Sequence, residues 1–291
     1  MLSEVTIMID LFYEYTEDNL RLQGTYFDSG KLDYCVLFIH GQAQSILNNY
    51  FAYVLGKHLS ENGISFLYGH NRGYSYINCM SKKDNTLEIN GATFEMFEDS
   101  LKDIELWITK IKKIGYKKII LMGHSLGCNK VLYYLSKNKG CAHGLVLASA
   151  PDMVGITRKE EATFDDLLKE AEINVSNNDP RKLLNTLIGG TDYISSATFI
   201  NQNLENSNID NFPIERNPQI FEQLSIISIP ILSFAGGNEY PTYLKQSLLK
   251  EKAINCDNYE YRIIDGANHF YSAKELEISK ILLKWINANI K

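Results

Sequence analysis

The segment Gly123-His124-Ser125-Leu126-Gly127 constrains this chain more than any other. It follows a strand-like run, Lys118–Met122, and leads into a helix-patterned stretch, Leu126–Asn138. A turn this short between strand and helix brings two backbones nearly into contact, which glycines on both sides permit. The serine between them is held in a strained conformation and raised clear of the strand end. Such a serine is a candidate nucleophile, and it needs a base to take its proton. The bare pattern arises by chance in many chains; the strand–turn–helix setting gives it weight here.

The rest of the chain supplies a sheet for that turn. Thr6–Tyr15 and Leu20–Phe27 read as a hairpin around Glu17-Asp18-Asn19. Cys35–Ile39 is wholly apolar, as strands buried on both faces are. Asn49–Glu61 is predicted as a helix, Ile64–Tyr68 as a strand and Gly69–Gly91 as a polar loop. Thr93–Ile114 reads as a helix with Leu101, Ile104, Ile108 and Ile111 on one face. Gly144–Ala148 is the next strand. The alternation then stops, and 152–225 is helical and polar, with Asp179-Pro180 read as a helix start. It resumes with strand Pro230–Ala235, helix Pro241–Ala253, strand Tyr259–Ile264 and helix Ala273–Ile290. The order implies an α/β fold: a mostly parallel sheet covered by helices on both faces, with an antiparallel hairpin at one edge. A core of 1–151 and 226–291 would carry 152–225 as a helical lid. Ligands on such sheets bind beyond the carboxyl ends of the strands.

The ends of other strands carry the remaining candidates. His269 follows the last strand, comes after Ser125 in the chain, and can shuttle a proton near neutral pH. The other histidines, at 40, 58, 70, 124 and 143, do not follow that strand. Glu239, just past strand 230–235, is the carboxylate expected to orient His269. Asp152, after strand 144–148, competes for that role, while Asp265 sits too near the end of its own strand. Leu126 and Gln42, the latter in His40-Gly41-Gln42, are the expected backbone N–H donors to an oxyanion. Each of these has a plain alternative: a surface-loop histidine, a helix-opening Glu, a strand-ending turn.

Bulk properties exclude other classes. A net charge of −6 over 291 residues, with no basic face, argues against nucleic acid as a partner. Five cysteines at 35, 79, 128, 141 and 256, odd in number and scattered, argue against a disulfide framework or a zinc motif. No secretory signal and no membrane-length apolar run is visible, so the cytoplasm is the default expectation. No G-x-G-x-x-G follows the first strands, and no phosphate-binding G-x-x-x-x-G-K-[ST] occurs.

His40-Gly41, Asn71-Arg72-Gly73, Gly123–Gly127, the Gly236–Glu239 turn and Asn268-His269 together resemble the alpha/beta-hydrolase superfamily, and within it lid-bearing serine esterases of the carboxylesterase and feruloyl-esterase kind. The resemblance covers nearly the whole chain outside the lid. It implies an eight-stranded, mostly parallel sheet and a Ser–acid–His triad. The chain departs from it where Asp is common and Asn238-Glu239 stands, and in a longer, more polar 69–91 loop. The leading expectation is hydrolysis of a small-molecule carboxylic ester, with no cofactor and no metal. Thioester, amide or acyl-transfer chemistry would use the same triad, and a non-catalytic binding role is a weaker alternative. Phe164, Leu167, Leu168 and Phe199 are candidates either for an acyl pocket or for anchoring the lid.

Overall fold

The computed structural model describes residues 8–291; Thr6 and Ile7, at the start of the first expected strand, lie outside them. The main sheet comprises β1 (Met8–Tyr15), β2 (Arg21–Asp28), β3 (Tyr34–Ile39), β4 (Ser65–Gly69), β7 (Lys118–His124), β8 (Gly144–Ala148), β9 (Ile231–Gly236) and β10 (Tyr259–Ile264). Their order is β1-β2-β4-β3-β7-β8-β9-β10. β1 and β2 pair antiparallel, and β2 is antiparallel to β4; every later pairing is parallel. This is the alpha/beta-hydrolase fold.

Period-two alternation splits each central strand between two cores. Cys35, Leu37 and Ile39 of β3 face α2 (Ser100–Ile114) and α3 (Leu126–Lys137), joined by Leu121 and Leu147. Val36 and Phe38 face α1 (Tyr50–Glu61) and α9 (Glu275–Asn289), joined by Met122, Val146 and Phe234. Both faces of the parallel strands are therefore buried, which is why Cys35–Ile39 carries no polar residue. No helix among the described residues is long and apolar enough to cross a membrane.

Between β8 and β9 the chain forms α4 (Met153–Glu160), α5 (Phe164–Ser176), α6 (Ser196–Asn203) and the short α7 (Glu222–Ser225). Phe164, Leu167, Ala171, Leu184, Ile194 and Phe199 make a hydrophobic cluster of their own, with Leu168 packed against it. The four apolar residues singled out in the sequence thus belong to the interior of this insertion.

Local signals misled in four places. Asp179-Pro180 opens no helix: Leu183 bridges Ser195 and Ile188 bridges Asp192 around a Gly189-Gly190 turn. Two adjacent glycines with positive φ fold the chain back before a helix can propagate. The 69–91 loop contains a small hairpin, β5 (Asn78–Ser81) with β6 (Leu87–Asn90). The helix expected from Thr93 starts at Ser100, because Thr93 and Glu95 are drawn into contacts with Tyr193 and Lys130. The helix expected over Pro241–Ala253 shrinks to α8 (Gln246–Lys252), with turns before it.

One close approach locks β3, β7 and α3 together. A Cβ on Gly127 would lie 2.2 Å from the Ile39 carbonyl oxygen, and one on Gly123 2.4 Å from the Gly127 carbonyl oxygen. Neither obstacle is a movable side chain. Gly127→Ala is expected to lower the unfolding free energy by about 3 kcal/mol, measured by urea titration; an unchanged midpoint would show that the strands can part without loss.

Candidate active site

Ser125 sits between β7 and α3 with φ 54° and ψ −132°, outside the usual regions for a residue bearing a Cβ. Its N–H donates to the Ala148 carbonyl at 2.9 Å, and its carbonyl accepts the N–H of Cys128 at 2.8 Å. The backbone is tied on both sides, so the strain is held rather than relaxed. Leu126 begins α3, and the first N–H groups of a helix have no acceptor within it. Gly41 lies against the serine, since a Cβ there would be 2.8 Å from the Ser125 Cβ. Gln42 is the next residue in the chain. Among the described residues neither the Gln42 nor the Leu126 N–H has a backbone acceptor outside regular elements.

His269 and Glu239 meet. The Nδ1–H of His269 donates to Glu239 Oε1 at 2.5 Å, with Glu239 2% and His269 29% exposed. The other carboxylate oxygen accepts the Gly236 N–H at 2.5 Å and the Ser149 hydroxyl at 2.8 Å. Ser149 is in turn bonded to the Tyr271 hydroxyl. With Nδ1 committed to the carboxylate, the imidazole keeps Nε2 free to accept a proton. The carbonyl of His269 accepts from Nε2 of His124 at 2.8 Å, and the two rings lie 4.9 Å apart at a 40° tilt. His124 is the residue before Ser125, so the base loop is anchored one residue from the serine.

Asp152 is elsewhere occupied. It caps α4, accepting the Gly155 N–H at 2.7 Å on one oxygen and the Glu215 N–H at 2.8 Å on the other. Both oxygens are used by the backbone, and burial pushes its carboxyl above the ordinary range. Asp265 is exposed. Ser149, Tyr271 and His124, which position the acid and the base, were not singled out from the sequence. Only the small residue Ser149 following β8 offered a signal, and a weak one.

A cleft of about 450 Å³ opens beside His269, lined also by Asn238, Glu239, Tyr240, Pro241 and Tyr243. None of these is basic. Under the site, fully buried Lys130 donates to Glu95 at 2.7 Å and to the Asn71 side-chain oxygen at 3.1 Å. Asn71 in turn donates to the His40 carbonyl at 3.2 Å, holding the end of β3.

A model of the alpha/beta hydrolase fold family matches residues 34–189. Among solved structures that match is Est1E from Butyrivibrio proteoclasticus, 12% identical with TM-score 0.64, covering 96% of this chain and 98% of that one. The esterase Pf2001 of Pyrococcus furiosus is 15% identical with TM-score 0.63, covering 100% and 96%. A soluble variant of monoglyceride lipase from Saccharomyces cerevisiae is 15% identical with TM-score 0.65, covering 100% and 98%. At such identities the likeness is one of fold. No curated protein matches.

Three buried histidines surround the site, and burial pushes each down: His70 to about 4, His124 to about 3, and His40 well below its ordinary value. Below the unfolded value of 6.5, the unfolded chain binds protons that the folded chain refuses. Stability is thus full above pH 6.5 and falls as the pH drops toward 4. Glu95 and Asp152, raised by burial, act in the opposite sense where they titrate. The contribution of His70 alone is about 3 kcal/mol. His70→Gln keeps a donor and an acceptor and is expected to flatten the pH dependence of urea unfolding over this window; an unaltered slope would remove His70 from the account.

Proposed function

The chain belongs to the alpha/beta hydrolase fold family, and on that premise we propose that it is a serine hydrolase cleaving carboxylic esters of small molecules through an acyl-enzyme. The observation that carries this reading is the 2.5 Å pairing of His269 with Glu239 on a loop anchored next to an elbow serine.

Ser125 Oγ attacks the acyl carbon while His269 Nε2 takes its proton. The tetrahedral oxyanion accepts the N–H groups of Gln42 and Leu126, whose directions are set before substrate arrives. Glu239 steadies the imidazolium through Nδ1. The imidazolium then gives the proton to the departing alcohol, leaving the acyl group on Ser125. A water molecule enters, His269 takes its proton, and the same steps in reverse order release the acid. None of these steps calls for a metal or a cofactor.

The cleft beside His269 has aromatic walls and no Lys or Arg among its lining residues. That favours an uncharged ester over one bearing a carboxylate or phosphate near the reacting carbon. Residues 152–225 act in this reading as a lid over the core.

The test is turnover of a p-nitrophenyl ester series of increasing acyl length. Ser125→Ala is expected to abolish turnover with the circular dichroism spectrum unchanged. Glu239→Gln is expected to cost about 10³–10⁴ in kcat, the loss seen when the third member of such a triad no longer fixes the tautomer. Undiminished turnover in Ser125→Ala would end the proposal. Labelling of Ser125 by a phosphonate probe without turnover of any ester would redirect it to thioesters or amides.

A further inference from the structure

The Gln42 N–H shares its peptide with the Gly41 carbonyl, which accepts from His40 Nδ1 at 2.7 Å, so one edge of that peptide is already held. Gly41 precedes Gln42, and Ala43 follows with φ 53°, a left-handed conformation disfavoured for a residue with a Cβ. The rest of the segment is tied through side chains. From below, the Gly41 N–H donates to the Gln44 side-chain oxygen at 3.3 Å, and Asn49 donates to the same oxygen at 3.0 Å. From the insertion, Gln42 Nε2 donates to Asp192 Oδ2 at 3.0 Å.

Asp192 comes from the turn of the insertion that bridges back from Ile188. Its other carboxylate oxygen accepts the Tyr76 hydroxyl at 2.6 Å and the Thr191 hydroxyl at 2.9 Å. No ion pair among the described residues involves this carboxylate, so its contacts are all to neutral donors. The turn is itself seated on the 91–99 segment. The Ser195 N–H donates to the Thr93 carbonyl at 2.9 Å, Thr93 Oγ1 to the Tyr193 carbonyl at 2.9 Å, and Asn201 accepts the Phe97 N–H at 2.8 Å.

We propose that Asp192 is a positioning residue for the oxyanion donor: by gripping the Gln42 side chain it braces the residue whose peptide His40 holds at the Gly41 carbonyl, so the Gln42 N–H keeps its full alignment only while this turn of the insertion is docked. The inference rests on the serine-hydrolase reading above. It makes the insertion part of the catalytic apparatus and more than a cover.

The test compares wild type with Asp192→Ala, Gln42→Ala and the double variant. Gln42→Ala keeps the backbone N–H and removes only the grip. Two readouts are taken: kcat and KM on p-nitrophenyl butyrate, and the rate at which a fluorophosphonate labels Ser125. The second needs the same oxyanion site but no ester turnover, so it separates failure of this inference from failure of the esterase reading. Each single variant is expected to lose about tenfold in kcat and in labelling rate, less than the 10²–10³ for outright loss of a donor, with KM within about twofold. The double variant should lose no more than either single, since both break one contact. Asp192→Asn, whose amide oxygen still accepts from Gln42, should restore most of the rate. Unchanged labelling in Asp192→Ala, or losses that multiply in the double variant, would overturn the proposal.

Discussion

Gly41, Gly123 and Gly127 bring three backbone segments together where no methyl group fits, and the rest of the site depends on that contact. Because the end of β3 can touch the start of α3, Gly41 and Gly127 lie next to one serine. Because β7 turns into α3 without spacer, Ser125 is lifted out of the sheet plane. The hydrophobic cores on the two faces keep the strands parallel and level, so that the ends of β8, β9 and β10 deliver Ser149, Glu239 and His269 to the same rim. Apolar burial builds the platform, and the missing side chains decide what can stand on it.

Charge is distributed with matching care. Arg72 is buried against Asp103 and reaches Asp18 and Asp99, fastening the loop after β4 to α2 and to the first hairpin turn. Lys130 and Glu95 form a second buried pair directly beneath the strand ends. Such pairs contribute little net stability against an apolar substitute, but removing one partner leaves a charge stranded, so each defines one arrangement of its loops. The histidines packed around them are kept neutral by burial, whereas His269 alone of this group reaches solvent through the cleft.

Much of the frame was legible because it is written locally. Strands Gly144–Ala148 and Tyr259–Ile264 have the boundaries their composition announces, and Asn49 caps α1 where its side chain indicates. The strained turn at Ser125 and the meeting of His269 with Glu239 were legible because each residue follows a strand end in chain order. What escaped is long-range. Nothing near Asp192 in the chain points to Gln42, 150 positions away. Thr93 and Glu95 look helical until Tyr193 and Lys130 claim them. Asp152 resembled a triad acid because it too follows a strand, but one oxygen caps α4 at the Gly155 N–H and the other is taken by the Glu215 N–H, 63 positions away.

Ser125, Ser149, Ala43 and Tyr271 all hold left-handed backbone, with φ between 53° and 54°, and all lie within this one site. Each such residue costs about 1–2 kcal/mol relative to glycine in the same conformation. Selection for persistence and selection for turnover therefore pull in opposite directions at these positions. In a duplicated copy freed from the need to turn over substrate, glycine at position 125 would be favoured on stability grounds alone. Among such copies, any of these four residues could give way to glycine and leave the surrounding scaffold sounder than before.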